Sequence, residues 1–334
     1  MPWTTTTPIY IWAVTTLILM VVLWVKQPDN KLTGLLFVID FLLYYLFWVE
    51  CVNWVVLFYW LWLLPIPLII VLLFHIRRRF DKPAWVGKVP FLPSKTRLSR
   101  ALLAVSLVFL VAFGYIDFRV ILSFDYEVAP GNPLLLWFPS RRGAYVIANG
   151  GNGINGIGLN SYYHGWFGSN GDKMSAFAVD VVKLWDPLQG SMSKTTLPSS
   201  NFDYKIYEDW VYSPCPGTVV FVEDGHPDLN PLETPQSQLG NYIVVQCADA
   251  FVMLANLKNG SIMNGDTPLQ VGDILHFNEL IGLVGNSGTP SIPHLHIRAT
   301  RNGWRPGMGI PTAILFDGAY SVNQFATRNK IFVP

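Results

Sequence analysis

Two histidines separated by one residue, His294 and His296 of PHLH, are the side chains whose type and spacing most directly suggest chemistry. The stretch Ile281 to Arg298, IGLVGNSGTPSIPHLHIR, reads as a strand, a Gly-rich turn and a second strand that carries both histidines. Side chains alternate faces along a strand, so residues at i and i+2 point the same way and both imidazoles can converge on one metal-centred cleft. Imidazole is the commonest protein ligand for zinc, and a strand holds it more rigidly than a loop does. A bare His-x-His also suits a polar sheet surface, so its setting decides between the two.

A second group lies upstream. SAFAVDVVKLW alternates like a strand and carries Asp180 among apolar neighbours. A buried carboxylate needs a partner because an unpaired charge is costly away from water, and a metal ion would supply one. Before it, NGGNGINGIGLN from Asn149 to Asn160 has glycines too irregular for a phosphate loop and no helix pattern after it, so it reads as an irregular loop lining the cleft. It leads into SYYHGW, which carries His164.

GNSG, a short Ser/Pro loop and PHLH, in that order, resemble the signature of the lysostaphin-like zinc endopeptidases, peptidase family M23, which cut peptidoglycan cross-bridges. The likeness extends over roughly residues 140 to 300, through PCPGTVV (Pro-x-x-Gly-x-Val), the strand pair ending in LANL, and VGDILHFNELIGLVGNSG. It implies an all-β, antiparallel domain of the duplicated-hybrid-motif type. It also implies that His296 ligates zinc and that His294 sits beside the metal as a catalytic residue. Two positions depart from the family pattern. The usual His-x-x-x-Asp motif has Ala176 in place of its histidine, and a variant with the histidine in an earlier loop makes the implied ligand set His164, Asp180 and His296, with a fourth position open for water. The usual Leu-Ala-His-Leu motif has Asn256 as its third residue, and Asn can donate a hydrogen bond but cannot act as a base. The resemblance brings Cys215 and Cys247 onto neighbouring strands, where they form either a disulfide or two buried thiols.

These residues need elements to carry them, and composition splits the chain in two. Over 334 residues the sequence is 51% apolar and 13% charged, with a mean hydropathy of +0.34, unlike one ordinary soluble domain. Nearly all the apolar excess precedes about residue 122, so residues 1–121 are expected to form a membrane anchor and 122–334 the peptidase-like domain. Ile9 to Val25, Leu32 to Val49, Trp54 to Phe74 and Leu102 to about Ile116 are apolar runs suited to about four spanning helices. No basic region precedes the first, so a cleaved signal peptide is not expected. Arg77, Arg78, Arg79, Lys82, Lys88, Lys95, Arg97 and Arg100 mark the loop 75–100 as cytoplasmic. Threading the spans from there puts Lys26 and Lys31 inside, Glu50 outside, and everything after about Ile121 outside the cell membrane. Pro65 and Pro67 imply a kink or an early end in the third run. Asp40, in the second, reads as a neutral carboxyl hydrogen-bonded within the bundle, or as a relay or partner-binding residue.

The net charge of +1 gives no basic field for nucleic acid, and three cysteines are too few for a disulfide scaffold. The expected function is a multi-pass, membrane-anchored zinc metalloendopeptidase acting on peptidoglycan peptides. The alternative is a catalytically degenerate domain of the same fold that binds wall peptide or a partner protein. A transporter with an extracytoplasmic cap has only Asp40 in its favour.

Overall fold

The computed structural model describes all residues except 1–6, 26–29, 81–89, 94, 163–171, 187, 189, 232, 234–238, 289–291 and 322–323. The chain divides into two compact units: a helical unit, Thr6–Val52 with Trp60–Val120, and a β unit, Ile121–Pro334 joined by Asn53–Tyr59.

The helical unit contains α1 (Thr7–Val25), α2 (Lys31–Cys51), α3 (Ile66–Phe80) and α4 (Arg97–Ile121). Among the described residues three helical stretches, Lys31–Cys51, Tyr59–Arg78 and Arg97–Phe124, are long and apolar enough to cross a membrane, and a fourth apolar helix, Pro8–Val22, is shorter. The Asn30 side chain caps α2 by accepting from the Thr33 amide at 2.8 Å, which satisfies one of the donors that a helix start leaves open. Asp40 accepts a hydrogen bond from the Ser106 hydroxyl of α4, a partner within the helical unit.

The run Trp54 to Phe74 is not one helix. Trp54–Val56 and Tyr59–Leu63 form short 3-10 turns, and the α-helix begins only at Ile66. Pro67 then falls in the first turn, where its missing N–H costs nothing, so the prolines start a helix and do not kink one. The residues before it serve the β unit. Val55 and Val56 are buried in a cluster with Val146, Val182, Met192 and Ile292, and the Tyr59 hydroxyl donates to the Asn329 carbonyl at 2.7 Å.

The β unit is built on a nine-stranded sheet. Its strands are β1 (Tyr145–Asn149), β2 (Val179–Lys183), β3 (Gly217–Glu223), β4 (Asn241–Cys247), β5 (Ala250–Leu257), β6 (Ile274–Leu275), β7 (Leu295–Arg301), β8 (Ile310–Pro311) and β9 (Ile331–Phe332). The order is β6-β3-β4-β5-β7-β2-β1-β9, with β8 also against β7, and every pairing is antiparallel. The period of two sorts the residues. Ile147, Val179, Val181, Val245, Val252, Leu254, Leu295 and Ile297 share one core, where full burial of each side chain contributes about 1.5–3 kcal/mol. Asp180, His296 and Arg298 alternate with them and so take the opposite face.

The GNSG turn shows why two of its positions are glycine. A Cβ on Gly285 would lie 2.4 Å from Asp228 Oδ1 and 2.5 Å from Lys258 backbone, and Gly288 has φ +93°, a region that favours glycine. Between them, Asn286 donates to Asn201 Oδ1 and to the Leu229 carbonyl, and Ser287 Oγ accepts from the Asn241 amide. Cys215 and Cys247 are bridged with Cα atoms 5.9 Å apart across a separation of 32 residues, a closure that contributes about 3–4 kcal/mol in the chain-entropy account.

Candidate functional site

Asp180 and His296 are direct cross-strand partners in the β2–β7 pairing, so their side chains rise side by side from one face. His296 Nδ1 lies 2.9 Å from Asp180 Oδ1, and His294 Nε2 lies 3.6 Å from the same oxygen. Exposure is 0% for Asp180 and His294 and 4% for His296. Polar side chains at a dry point are costly to leave unpaired; His296 pairs with Asp180, while His294 Nε2 stands beyond hydrogen-bonding distance of it.

Charge is distributed unevenly within the cluster. Burial alone would raise the Asp180 pKa, but His294, His296 and Tyr162 more than offset it and hold the carboxyl below its usual range. Burial lowers the His294 pKa despite the pull of Asp180. Burial thus favours the neutral form of His294. His294 Nδ1 lies 2.9 Å from the Ile292 carbonyl. A carbonyl can only accept, so Nδ1 carries the proton and Nε2 presents its lone pair toward the cluster.

Tyr162 completes the group, a residue that no motif in the sequence singles out. Its hydroxyl lies 2.9 Å from each Asp180 oxygen and 3.1 Å from His296 Nδ1. The Asn-rich loop places it. Asn160 Oδ1 accepts from the Tyr162 amide at 2.9 Å, and the Asn160 amide group donates to the Gly151 and Ala176 carbonyls. Asn149, which pairs with Asp180 across a bulge, accepts from both the amide and the hydroxyl of Ser161. The one local signal is Asn160 itself, since Asn two residues before a functional position makes an Asx turn that fixes it. Burial and the Asp180 charge raise the Tyr162 pKa, so the phenol is neutral in the metal-free cluster.

Asn256 is the extra residue of a bulge in the β4–β5 pairing, with φ +63°, a conformation that Asn tolerates better than most residues. Its amide donates to the Ser287 carbonyl at 2.8 Å, tying the bulge to the GNSG turn, and its neighbour Ala255 pairs with His296. Ala176, four residues before Asp180, closes a 3-10 turn, Lys173–Ser175, that Asp172 caps. The strand expected from about Ser175 therefore begins at Val179. Asp172 also accepts from the largely buried Arg298 at 3.0 Å, beside the cluster on the same face. His164 lies outside the described residues.

An oxygen from Asp180 and a nitrogen from His296 at this separation suit zinc, which takes mixed N/O sets. Among the described residues no group of three or more His, Cys, Asp or Glu side chains is arranged to hold a metal ion. Among the described residues, Asp180 and His296 thus offer two positions suited to a metal ion.

No family model and no curated protein matches the chain. Solved structures are similar to parts of it. Csd3 of Helicobacter pylori has a TM-score of 0.29 and 16% identity over 55% of this chain and 34% of its own. The catalytic domain of a mutant form of the prophage-encoded M23 protein EnpA from Enterococcus faecalis has a TM-score of 0.27 and 16% identity, over 56% of this chain and 95% of that one. Lysostaphin has a TM-score of 0.24 and 19% identity, over 31% and 37%. The chain thus covers little more than a third of the length of Csd3 and of lysostaphin. Structures similar to this chain are lysostaphin-like peptidase domains, matched at low identity and over part of its length.

Proposed function

We propose that this chain is a membrane-anchored zinc metalloendopeptidase that hydrolyses peptide bonds in peptidoglycan cross-links. Asp180 and His296 are metal ligands, the segment Asn160 to His164 supplies a third, and His294 and Asn256 serve the substrate. The observation that carries this reading is the convergence of Asp180, His294 and His296 on one buried point of the sheet. Zinc, when bound, lowers the pKa of a water molecule and polarises a carbonyl. His294, whose Nδ1 donates to the Ile292 carbonyl and so leaves Nε2 unprotonated in the neutral ring, is suited to take a proton from the attacking water and hand it to the leaving amine nitrogen. Asn256 contributes a donor and no base, held by the Ser287 carbonyl.

The same proposal places four spans in the lipid bilayer of the cytoplasmic membrane and the β unit outside. Support comes from within each unit. Asn53–Tyr59, between the second and third spans, belongs to the same compact unit as Ile121–Pro334, which supports placing both on one side of the bilayer. In the helical unit the Lys31 and Leu32 amides donate to the Pro90 and Phe91 carbonyls at 2.9 and 3.0 Å, which joins the start of α2 to the basic loop 75–100, on the side that retains Lys and Arg. The disulfide suits an oxidising compartment. A reporter fused after Pro334 is expected to read as extracytoplasmic, and cytoplasmic activity would remove the wall substrate from reach.

Asn256 and Ala176 favour the second reading, a domain that binds wall peptide or a partner protein without cleaving. Asn256→His separates the two. Restoring the base that the resemblance implies is expected to raise turnover by about 10²-fold or more, the range general-base catalysis supplies. If both the wild type and the variant bind zinc and wall peptide yet cleave nothing, the binding reading holds.

A further inference from the structure

The departure at Ala176 leaves open which residue completes the metal's ligand set. We propose that Tyr162 is a metal ligand through its phenolic oxygen, an inference that rests on the zinc reading above.

Four donor atoms from three residues crowd one point. Tyr162 Oη is 2.9 Å from Asp180 Oδ1, 2.9 Å from Asp180 Oδ2 and 3.1 Å from His296 Nδ1, while His296 Nδ1 is 2.9 Å from Asp180 Oδ1. Ligand atoms around a tetrahedral zinc with bonds of about 2.0–2.1 Å lie roughly 3.3 Å apart. The separations here reach that spacing with an expansion of a few tenths of an ångström.

The phenol is also held as a ligand needs to be. The Asx turn of Asn160 fixes the Tyr162 backbone, and Ser161 is pinned to Asn149, the bulge partner of Asp180. The loop that presents the oxygen is therefore anchored to the strand pair that presents the carboxylate, as ligands held by surrounding hydrogen bonds are. Asp180, His296 and Tyr162 make three protein ligands and leave one position open, the arrangement of a catalytic zinc.

The test uses the full-length protein in detergent, comparing wild type with Tyr162→Phe, Tyr162→His, His164→Ala and His296→Ala. Phe keeps the ring and its packing, and melting curves of the metal-free proteins confirm that each variant folds. In chelator competition with zinc, Tyr162→Phe is expected to weaken binding by more than about 100-fold, beyond what loss of a supporting hydrogen bond usually costs. Tyr162→His, which restores a ligand, is expected to recover most of it. Loaded with copper(II), the wild type is expected to show a phenolate-to-metal charge-transfer band that Tyr162→Phe removes, which a tyrosine outside the coordination sphere would not produce. If zinc affinity survives Tyr162→Phe but is lost in His164→Ala and His296→Ala, or if the wild-type band is absent, Tyr162 is not a ligand and the peptidase reading stands with His164. If the wild type binds no zinc, the underlying reading fails together with the inference.

Discussion

Asp180→Ala and His296→Ala, each made in the full-length protein, are expected to abolish both zinc retention and hydrolysis. Three protein ligands are the minimum for a catalytic zinc, so losing either leaves too few to hold the ion. The register explains why neither loss can be compensated nearby. Asp180 and His296 face each other directly across the β2–β7 pair, and the flanking Leu295, Ile297, Val179 and Val181 point into the core. Asp180→Ala carries a second effect, because it removes the acceptor that His296 and Tyr162 share. Each buried polar atom left unsatisfied costs about 1–3 kcal/mol, so a lowered denaturation midpoint of the metal-free protein should accompany the loss of zinc. Zinc content by elemental analysis and urea unfolding of the same preparations measure both effects, and stoichiometric zinc in either variant would remove these residues from the ligand set.

His294→Ala is expected to have a different signature, with zinc retained and kcat reduced by about 10²–10⁴-fold, the contribution typical of a positioned proton acceptor. The side chain is fully buried, donates through Nδ1 to the Ile292 carbonyl and turns Nε2 toward Asp180 at 3.6 Å. A group that acts mainly in the transition state lowers the rate without removing the ion. His294→Gln, which retains hydrogen-bonding capacity but is no base, should be nearly as slow. Equal loss of zinc in His294→Ala and His296→Ala would instead make the first histidine a ligand and return the proton acceptor to an unidentified residue.

The parts of this architecture legible in the sequence are those with a strong local period. The spacing of His294 and His296 and the apolar alternation around Asp180 both carry the two-residue repeat of strands, so the sheet and the opposed polar face followed from them. The long apolar runs of the first third likewise imply helices by length alone. What escaped depends on tertiary partners. Tyr162 sits in a loop without periodicity, and its place is set by Asn149 and Asn160 through hydrogen bonds whose distant acceptors no short-range pattern reveals. Trp54 to Tyr59 is as apolar as a membrane span, but its buried valines pack among residues of the β unit, and hydropathy does not distinguish a protein core from lipid. Asn256 was legible as a departure from the family pattern, while the bulge that holds it at positive φ was not.

The central claim, hydrolysis by the Asp180–His294–His296 site, is tested most directly by incubating the zinc-loaded full-length protein with purified cross-linked peptidoglycan and searching the products by mass spectrometry for new peptide ends. The account predicts paired new amino and carboxyl termini at one type of peptide bond, present with the wild type and absent after chelation or with His296→Ala. An intact cross-link pool from a wild-type preparation that holds one zinc per chain would contradict it and leave a metal-bearing binding domain in its place.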